Sequence, residues 1–138
     1  MGVLVLGYDG SECATAALDE AVSLAKGLGD SIVIGFGYNP GGPGEEFKTT
    51  GEAIRKMGER VTGEAVERAR SAGVEVEIEL LNERPTEALL SLAEKHDARA
   101  IVLGSYGESP IKGALLGSVP HKLLHLSERP VLIVPAPE

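Results

Sequence analysis

The sequence predicts an α/β protein in which a doubly wound parallel sheet forms a single domain over residues 1–138. Short apolar segments of strand length alternate with longer segments of helical character along the whole chain. Most of the apolar segments are continuous, which is typical of parallel strands buried on both faces. The stretches between them are long enough for the helical crossovers that parallel strands require. These observations predict five strands and four helices.

The composition narrows the class of ligand and the compartment. The formal net charge of −8 argues against non-specific binding to nucleic acid, which needs a basic surface. A nucleotide ligand remains compatible with this charge, because backbone amides can hold a phosphate group. Cys13 is the single cysteine, so no internal disulfide can form. No signal-like start is visible, and no apolar run approaches the ~20 residues of a membrane span. We therefore expect a cytoplasmic protein with no membrane segment.

The first third of the chain reads as strand, helix, strand. Val3–Gly7 is a continuous apolar run that predicts a buried strand. Ser11 is a good N-cap for an alanine-rich helix, which residues 27–30 end. Ile32–Gly37 is the second buried strand. The crossover between the two strands predicts a parallel pair.

The middle of the chain contains the longest helix and a strand of different character. Tyr38–Glu46 is rich in proline and glycine and predicts a loop without helix. Thr49–Ala72 has apolar residues at spacings of three and four, which predicts a helix, with Gly73 as its C-cap. Val74–Leu80 alternates strictly between apolar and acidic residues, which predicts a strand near a sheet edge with one solvated face. Asn82–Pro85 predicts a turn.

The last third supplies the remaining elements. Thr86 caps or starts a third helix, which ends at residues 96–97. Ala100–Leu103 is the fourth strand, Val119–Leu126 a short helix, and Val131–Val134 the fifth strand.

A glycine-bearing segment joins the fourth strand to the last helix, and we call Gly104–Ser118 the glycine loop. Its glycines are residues 104, 107, 113 and 117. Glycine leaves no Cβ in the way, so backbone N–H groups can approach an anion, and the following helix adds its own unpaired N–H groups. Ser118 can cap that helix or donate its hydroxyl to a phosphate. The alternative is a surface loop that the glycines only shape. The order Lys112-Gly113 does not match the common phosphate-loop motif.

The spacing of Gly104, Gly107 and Gly117-Ser118 resembles the ATP-binding signature of the universal stress protein family. The beginning of the chain, Val3–Ser11, and its end, Arg129–Pro135, also resemble that family, so that the likeness covers essentially the whole chain. The resemblance implies a Rossmann-like sheet of order 3-2-1-4-5, with a nucleotide cleft between strands one and four.

The resemblance also implies which residues contact the nucleotide. These are Tyr8, Asp9, Gly37, Gly104, Gly107, Gly117, Ser118 and Val119. Asp9 would accept hydrogen bonds from the ribose or approach a phosphate-bound metal, or else it stabilises its own turn. Gly37 stands where family members place an apolar residue against adenine, and Phe36 or Tyr38 are the alternatives for that surface. Pro120 removes one N–H from the start of the last helix.

No catalytic residue is predicted, because the sequence contains no recognisable motif that pairs a nucleophile with a base. His121 and His125 stand four residues apart on one helix, but a zinc site needs further ligands. We expect an ATP-binding regulatory protein, with Mg²⁺ as a possible companion of the nucleotide. The alternatives are an enzyme of phosphoryl or adenylyl transfer, or slow ATP hydrolysis, and a scaffold that binds no nucleotide.

The fifth strand also predicts an assembly. Val131–Val134 is apolar and, in the implied strand order, lies at a sheet edge, where unpaired backbone groups invite association. A homodimer in which this strand meets its own copy is the simplest closed solution, and the resemblance implies the same dimer. The alternative is a monomer.

Overall fold

The computed structural model describes residues 2–37, 45–105 and 116–135, without the side chains of residues 45–55 and 57. In these ranges the chain forms five strands and four helices. Their bounds are β1 Val3–Gly7, α1 Glu12–Leu28, β2 Ser31–Gly37, α2 Glu45–Ser71, β3 Val76–Leu81, α3 Pro85–Lys95, β4 Ala100–Gly104, α4 Ser118–Leu126 and β5 Val131–Val134.

The strands form one parallel sheet of order β3-β2-β1-β4-β5, which confirms the predicted fold class and order. The register pairs Leu6 of β1 with Ile34 on one side and Val102 on the other. These three side chains are fully buried, as the continuous apolar runs require. β3 and β5 are the two edge strands.

Each face of the sheet has its own apolar core. On the first face, Leu4, Leu6 and Ile34 pack with residues of α1 and α2. On the second face, Val5 and Val33 pack with residues of α3 and α4. The alternation of side chains along each buried strand divides the apolar residues between the two cores. The parallel order places helices on both faces, as the handedness of crossovers requires.

Helix α1 begins and ends at the residues that the sequence indicates. The hydroxyl of Ser11 accepts a hydrogen bond from the N–H of Ala14 at 3.1 Å, so Ser11 is the N-cap. Gly29 is the C-cap in the left-handed conformation, with φ of 72°. Both predictions for this helix are confirmed.

The start of α2 differs from the prediction. The helix begins at Glu45, so the predicted start at Thr49 is wrong, and Glu45 and Glu46, which were predicted to lie in the loop, belong to the helix. Residues 38–44 of the predicted loop lie outside the described residues, and two acidic residues open the helix. Negative side chains favour the first turn of a helix, because they face the positive end of its dipole.

β3 also begins later than predicted, because Val74, the first residue of the predicted strand, takes part in the turn that ends α2. Gly73 has φ of 83°, and the N–H of Val74 donates to the carbonyl of Ala69 at 3.1 Å. This bond closes the left-handed turn that ends α2. Val74 therefore belongs to the helix end, and β3 begins at Val76.

Helices α3 and α4 each begin one residue earlier than the sequence suggests. Pro85, predicted to close a turn, is the first residue of α3, with Arg84 as N-cap, while Thr86 is buried in the first turn. Proline favours this first position, because its ring fixes φ and no N–H is lost there. In α4 the N-cap is Gly117, and Ser118 is the first helical residue. The prediction that Ser118 caps α4 is therefore wrong.

The edge strand β3 carries carboxylates on its second face. Glu77 and Glu79 pair in register with Val33 and Gly35. Glu79 receives hydrogen bonds from Lys95 and His96 at the end of α3. Burial alone would raise the pKa of Glu79, but these two hydrogen bonds outweigh it and hold the pKa below its ordinary value. The edge is thus acidic along one face, as the alternating sequence predicts.

Within the described ranges, none of the helices is both long and apolar enough to cross a membrane.

Candidate functional site

The carboxyl ends of β1 and β4 are the centre of the candidate site. These two strands are neighbours in the sheet, paired through Leu4–Ala100, Val5–Ile101 and Leu6–Val102. The chain leaves β1 toward α1 on the first face and leaves β4 toward α4 on the second face. The two connections therefore diverge and leave a cleft between them. Ligands of doubly wound sheets bind at this topological switch point.

Asp9 lies two residues past the end of β1, at the carboxyl end of the sheet. Its Oδ1 accepts a hydrogen bond from the N–H of Ser11 at 3.0 Å, which is the predicted alternative in which Asp9 stabilises its own turn. The N–H of Ser11 belongs to the N-cap of α1, so this bond fixes the approach to the helix. In the part of the chain that the structure describes, Oδ2 has no hydrogen-bond partner.

Tyr8 contributes its backbone rather than its ring to the cleft. The residue is 8% exposed, and its side chain belongs to the apolar core beneath α1 and α2. The side chains of β1 alternate, so the position before Asp9 points into the first face.

Gly104 ends β4 and is in close contact with α1. A Cβ at this position would lie 2.5 Å from the Cβ of Cys13 and 2.7 Å from its backbone carbonyl carbon. Cys13 is buried and its Sγ lies 3.7 Å from the Oγ of Ser105. Gly104 therefore has a packing role, because it allows α1 to rest against the end of β4.

The two ends of the glycine loop are tied together. The N–H of Gly117 donates to the carbonyl of Ser105 at 2.6 Å, and the N–H of Ser105 donates to the carbonyl of Val134 at 2.9 Å. The start of α4 is consequently held beside the ends of β4 and β5. Ser105 is the one residue of this arrangement that was not predicted to belong to the site. Its position directly after Gly104 is the only feature of the sequence that could have indicated this residue.

The start of α4 presents polar groups toward the cleft. His121 donates its N–H to the carbonyl of Gly117 as the first bond of the helix. The N–H groups of Ser118 and Val119 precede that bond and have no partner within the described ranges, as the first turn of a helix dictates. Pro120 has no N–H to offer. Ser118 is exposed, so its hydroxyl is accessible.

Gly37, at the end of β2, is covered by the turn between β3 and α3. A Cβ at Gly37 would lie 2.6 Å from the carbonyl oxygen of Glu83 and 2.9 Å from the carbonyl carbon of Arg84. An apolar side chain has no room here, because backbone occupies the space. Phe36 points to the other face and packs against Gly58 of α2. On the second face of the sheet, the backbone of Glu83 and Arg84 therefore forms the wall at this end of the cleft.

Several predicted positions lie outside the residues that the structure describes. They are Gly107 of the predicted nucleotide contacts, Tyr38 as an alternative base contact, and Lys112 within the glycine loop.

The histidines of α4 share a face, as their spacing predicts, with ring centroids 4.9 Å apart. Over residues 2–37, 45–105 and 116–135, no three or more His, Cys, Asp or Glu side chains are grouped so that they can hold a metal ion.

A cavity of about 640 Å³ opens at the opposite end of the sheet. Its lining includes Val3, Arg70, Glu75, Glu77 and His96. These residues lie at the amino ends of the strands and at the ends of α2 and α3. The strand ends there offer no helix N-terminus to a ligand, so we place the candidate site at the carboxyl ends, where the polar groups converge.

The fold and the cleft define a doubly wound α/β protein with its candidate ligand site at the topological switch point. A sequence model of the universal stress protein family matches residues 1–135, and the chain belongs to that family. Universal stress protein YxiE of Bacillus subtilis is 34% identical over 146 residues, covering 95% of this chain and 97% of YxiE. Universal stress protein Rv1636 of Mycobacterium tuberculosis is 33% identical over 141 residues, covering 95% and 94%.

Solved structures share the fold. Universal stress protein UspA from Lactobacillus plantarum superposes with a TM-score of 0.81 over 96% of this chain and 97% of UspA, at 17% identity. A universal stress protein crystallised in complex with cAMP superposes with a TM-score of 0.72 at 31% identity, over 99% of this chain and 98% of that one.

Proposed function

We propose that this protein is a regulatory adenine-nucleotide-binding protein and that ATP is its ligand. The observation that carries the proposal is that two features lie at the carboxyl ends of the neighbouring strands β1 and β4. The Asp9 turn and the tied ends of the glycine loop face the same cleft. A relative of 31% identity forms a complex with cAMP, an adenine nucleotide, which supports the same ligand class here.

The phosphate groups lie at the start of α4 in this proposal. The N–H groups of Ser118 and Val119 point out of the first turn, where the positive end of the helix dipole favours an anion. The hydroxyl of Ser118 adds a third donor. Pro120 limits the helix to these two backbone donors, so Gly107 and its neighbours in the glycine loop supply the remaining contacts.

The ribose lies over Asp9 in the same arrangement. Its Oδ1 is engaged by the N–H of Ser11, and the other oxygen accepts a hydrogen bond from a ribose hydroxyl. A carboxylate that is already fixed by its own turn costs little entropy to position. With Mg²⁺ present, the same oxygen is within the class of ligands that this ion prefers.

Calorimetric titration of the purified protein with ATP, AMP and cAMP, with and without Mg²⁺, tests the proposal. We expect binding of at least one adenine nucleotide, with a thermal-unfolding midpoint that rises with ligand concentration. No heat and no shift at millimolar nucleotide would refute the proposal.

A single glycine-to-alanine change tests the placement of the phosphates. Gly117 has φ of −70° and ψ of 172°, a conformation that alanine adopts without strain. Gly117→Ala should therefore keep the fold and weaken ATP binding, because its Cβ stands where backbone approaches phosphate. Gly27→Ala is the matched control, because a Cβ at Gly27 meets nothing within 4 Å. Equal ATP affinity in the two variants would place the phosphates elsewhere.

A further inference from the structure

The first turn of α3 lies over β2 and not over β3, the strand that precedes it. The backbone of Glu83, Arg84 and Pro85 fills the space beside Gly37. Further along α3, Leu89 reaches β1, where a Cβ at Gly7 would lie 2.9 Å from its Cδ1. The start of α3 thus forms the wall of the cleft on the second face, one strand away from Asp9.

Arg84 is the side chain that this wall presents. It is exposed and, within the described ranges, makes neither an ion pair nor a side-chain hydrogen bond. It occupies the N-cap of α3 without capping it, where Ser, Thr, Asp or Asn is favoured. A cation there also faces the positive end of the helix dipole, which is unfavourable. Local structure therefore gives no reason for an arginine at this position.

Basic residues are scarce around the cleft. The segments that follow the five strands are residues 8–11, 38–44, 82–84, 105–117 and 135–138. In the sequence of these segments, Arg84 and Lys112 are the only Lys or Arg. The chain as a whole carries a net charge of −8. A cationic side chain in this position is therefore a distinctive feature of the cleft rim.

The spacing of the strands decides which part of a nucleotide Arg84 can contact. Neighbouring strands lie about 4.8 Å apart, so a side chain that begins over β2 reaches a ligand above β1. The start of α4 follows β4, a further strand away. A nucleotide whose phosphates lie at Ser118 and whose ribose lies at Asp9 extends its base toward β2. Arg84 therefore faces the base and not the phosphate groups.

We propose that Arg84 is a specificity-determining residue whose guanidinium stacks on the adenine base of the bound nucleotide, an inference that rests on the proposed function. The planar guanidinium packs on the face of an aromatic ring, and its positive charge is attracted to the π electrons. Gly37 itself brings no side chain to that end of the cleft, and Arg84 supplies a surface there from the turn that covers Gly37.

Titration of ATP and AMP into Arg84→Ala, Arg84→Lys and wild-type protein tests this contact. We expect both variants to bind about three- to tenfold more weakly than wild type, because lysine keeps the charge but loses the planar group. The loss should be the same factor for ATP and AMP, which share the base. It should also be unchanged between about 50 and about 300 mM NaCl, because stacking is screened little by salt.

Arg70→Ala is the matched control, because Arg70 is exposed at the opposite end of the sheet. It should bind ATP as wild type does. Three results would overturn the role of Arg84: wild-type affinity in Arg84→Ala, full recovery in Arg84→Lys, or a loss that is larger for ATP and fades with salt. The last result would indicate a phosphate contact. Wild-type protein that binds neither nucleotide would instead refute the proposed function itself.

Discussion

At the scale of single residues, Asp30 joins three segments at the amino end of the sheet. Its carboxylate is buried and accepts hydrogen bonds from the N–H of Gly2 at 2.8 Å and from the Nε of Arg99 at 2.5 Å. The hydrogen bond from Arg99 holds the pKa of Asp30 below its ordinary value of 3.8, against the opposing effect of burial. The chain start, β2 and the approach to β4 therefore depend on one ionised group.

We expect Asp30→Asn to lower the free energy of unfolding by about 1–3 kcal/mol at pH 7, because the hydrogen bonds of Arg99 and Gly2 lose their charged acceptor. A depressed carboxyl pKa adds stability above the unfolded-state value near 3.8, and that stability is lost as the pH falls through the folded-state pKa. The difference between wild type and variant should therefore shrink below pH 3.8. Urea unfolding across this range measures it, and a difference independent of pH would contradict the assignment.

The sequence predicts a residue's role well when its partner is close in the chain. Ser11 as the cap of α1 follows from its position, and so does the turn-stabilising alternative for Asp9. Gly104 shows the limit, because its signature spacing indicates a ligand while its packing partner, Cys13, lies 2.5 Å from the position of the missing Cβ. A contact between residues so far apart in the chain depends on the strand order, and the periodicity of apolar residues does not show that order.

At the scale of elements, Gly58 and Gly63, the two glycines of α2 whose surroundings the structure describes, differ in what lies beside them. A Cβ at Gly63 would meet nothing within 4 Å, whereas a Cβ at Gly58 would lie 2.7 Å from the ring of Phe36. Glycine in a helix interior costs stability through its backbone entropy, unless packing requires it. Substitutions at Gly63 and Gly58 therefore test helix propensity and side-chain packing separately within one helix.

We expect Gly63→Ala to stabilise the protein by about 0.5–1 kcal/mol, because it raises helix propensity without a clash. Gly58→Ala should destabilise it by about 1–3 kcal/mol, because the added methyl group overpacks the contact with Phe36. Chemical unfolding of both variants measures these changes. Stabilisation by Gly58→Ala would show that the Phe36 ring moves aside at little cost.

Two element boundaries were predicted one or two residues from their true position, because one residue can fit either of two neighbouring elements. The C-terminal turn of α2 takes Val74 from the predicted β3, because a backbone hydrogen bond to Ala69 forms there. The alternating apolar pattern correctly indicates the strand but extends past its true start. Pro85 likewise reads as a turn residue and is the first residue of α3.

At the scale of the whole molecule, β5 is an edge strand of the described sheet, and apolar side chains of β5 and α4 are exposed. Leu132 is 38% exposed, and Leu124 and Leu126 of α4 are exposed by 51% and 58%. An apolar edge strand with unpaired backbone groups favours pairing with another strand.

We expect a homodimer in which Val131–Val134 meets its own copy. Leu132→Asp should shift the protein toward monomer, because burying an unpaired carboxylate in the interface is costly. Leu28→Asp is the matched control, because Leu28 is 47% exposed on α1. Analytical ultracentrifugation at tens of micromolar distinguishes the two, and a wild-type monomer would contradict the prediction.

The strand count and the helical crossovers follow from the sequence, because burial on both faces leaves a continuous apolar pattern. The order of the strands comes from the family resemblance and not from the pattern. The periodicity of apolar residues does not show where an element lies in the fold. The cleft between β1 and β4 could therefore be predicted only once the strand order was known.

The unlike chemistry of the two sheet edges has a consequence for growth. A head-to-tail contact, β5 of one molecule against β3 of the next, would repeat without limit and form a filament. The exposed carboxylates of Glu75, just before β3, and Glu77, on β3, oppose that contact, because an apolar strand beside them would remove their water. In the predicted dimer, β5 is therefore the edge that associates, and the acidic residues at β3 keep the opposite edge from extending the assembly. Changing Glu75 and Glu77 to Thr would remove these charges, and we expect that variant to form fibres more readily than the wild type.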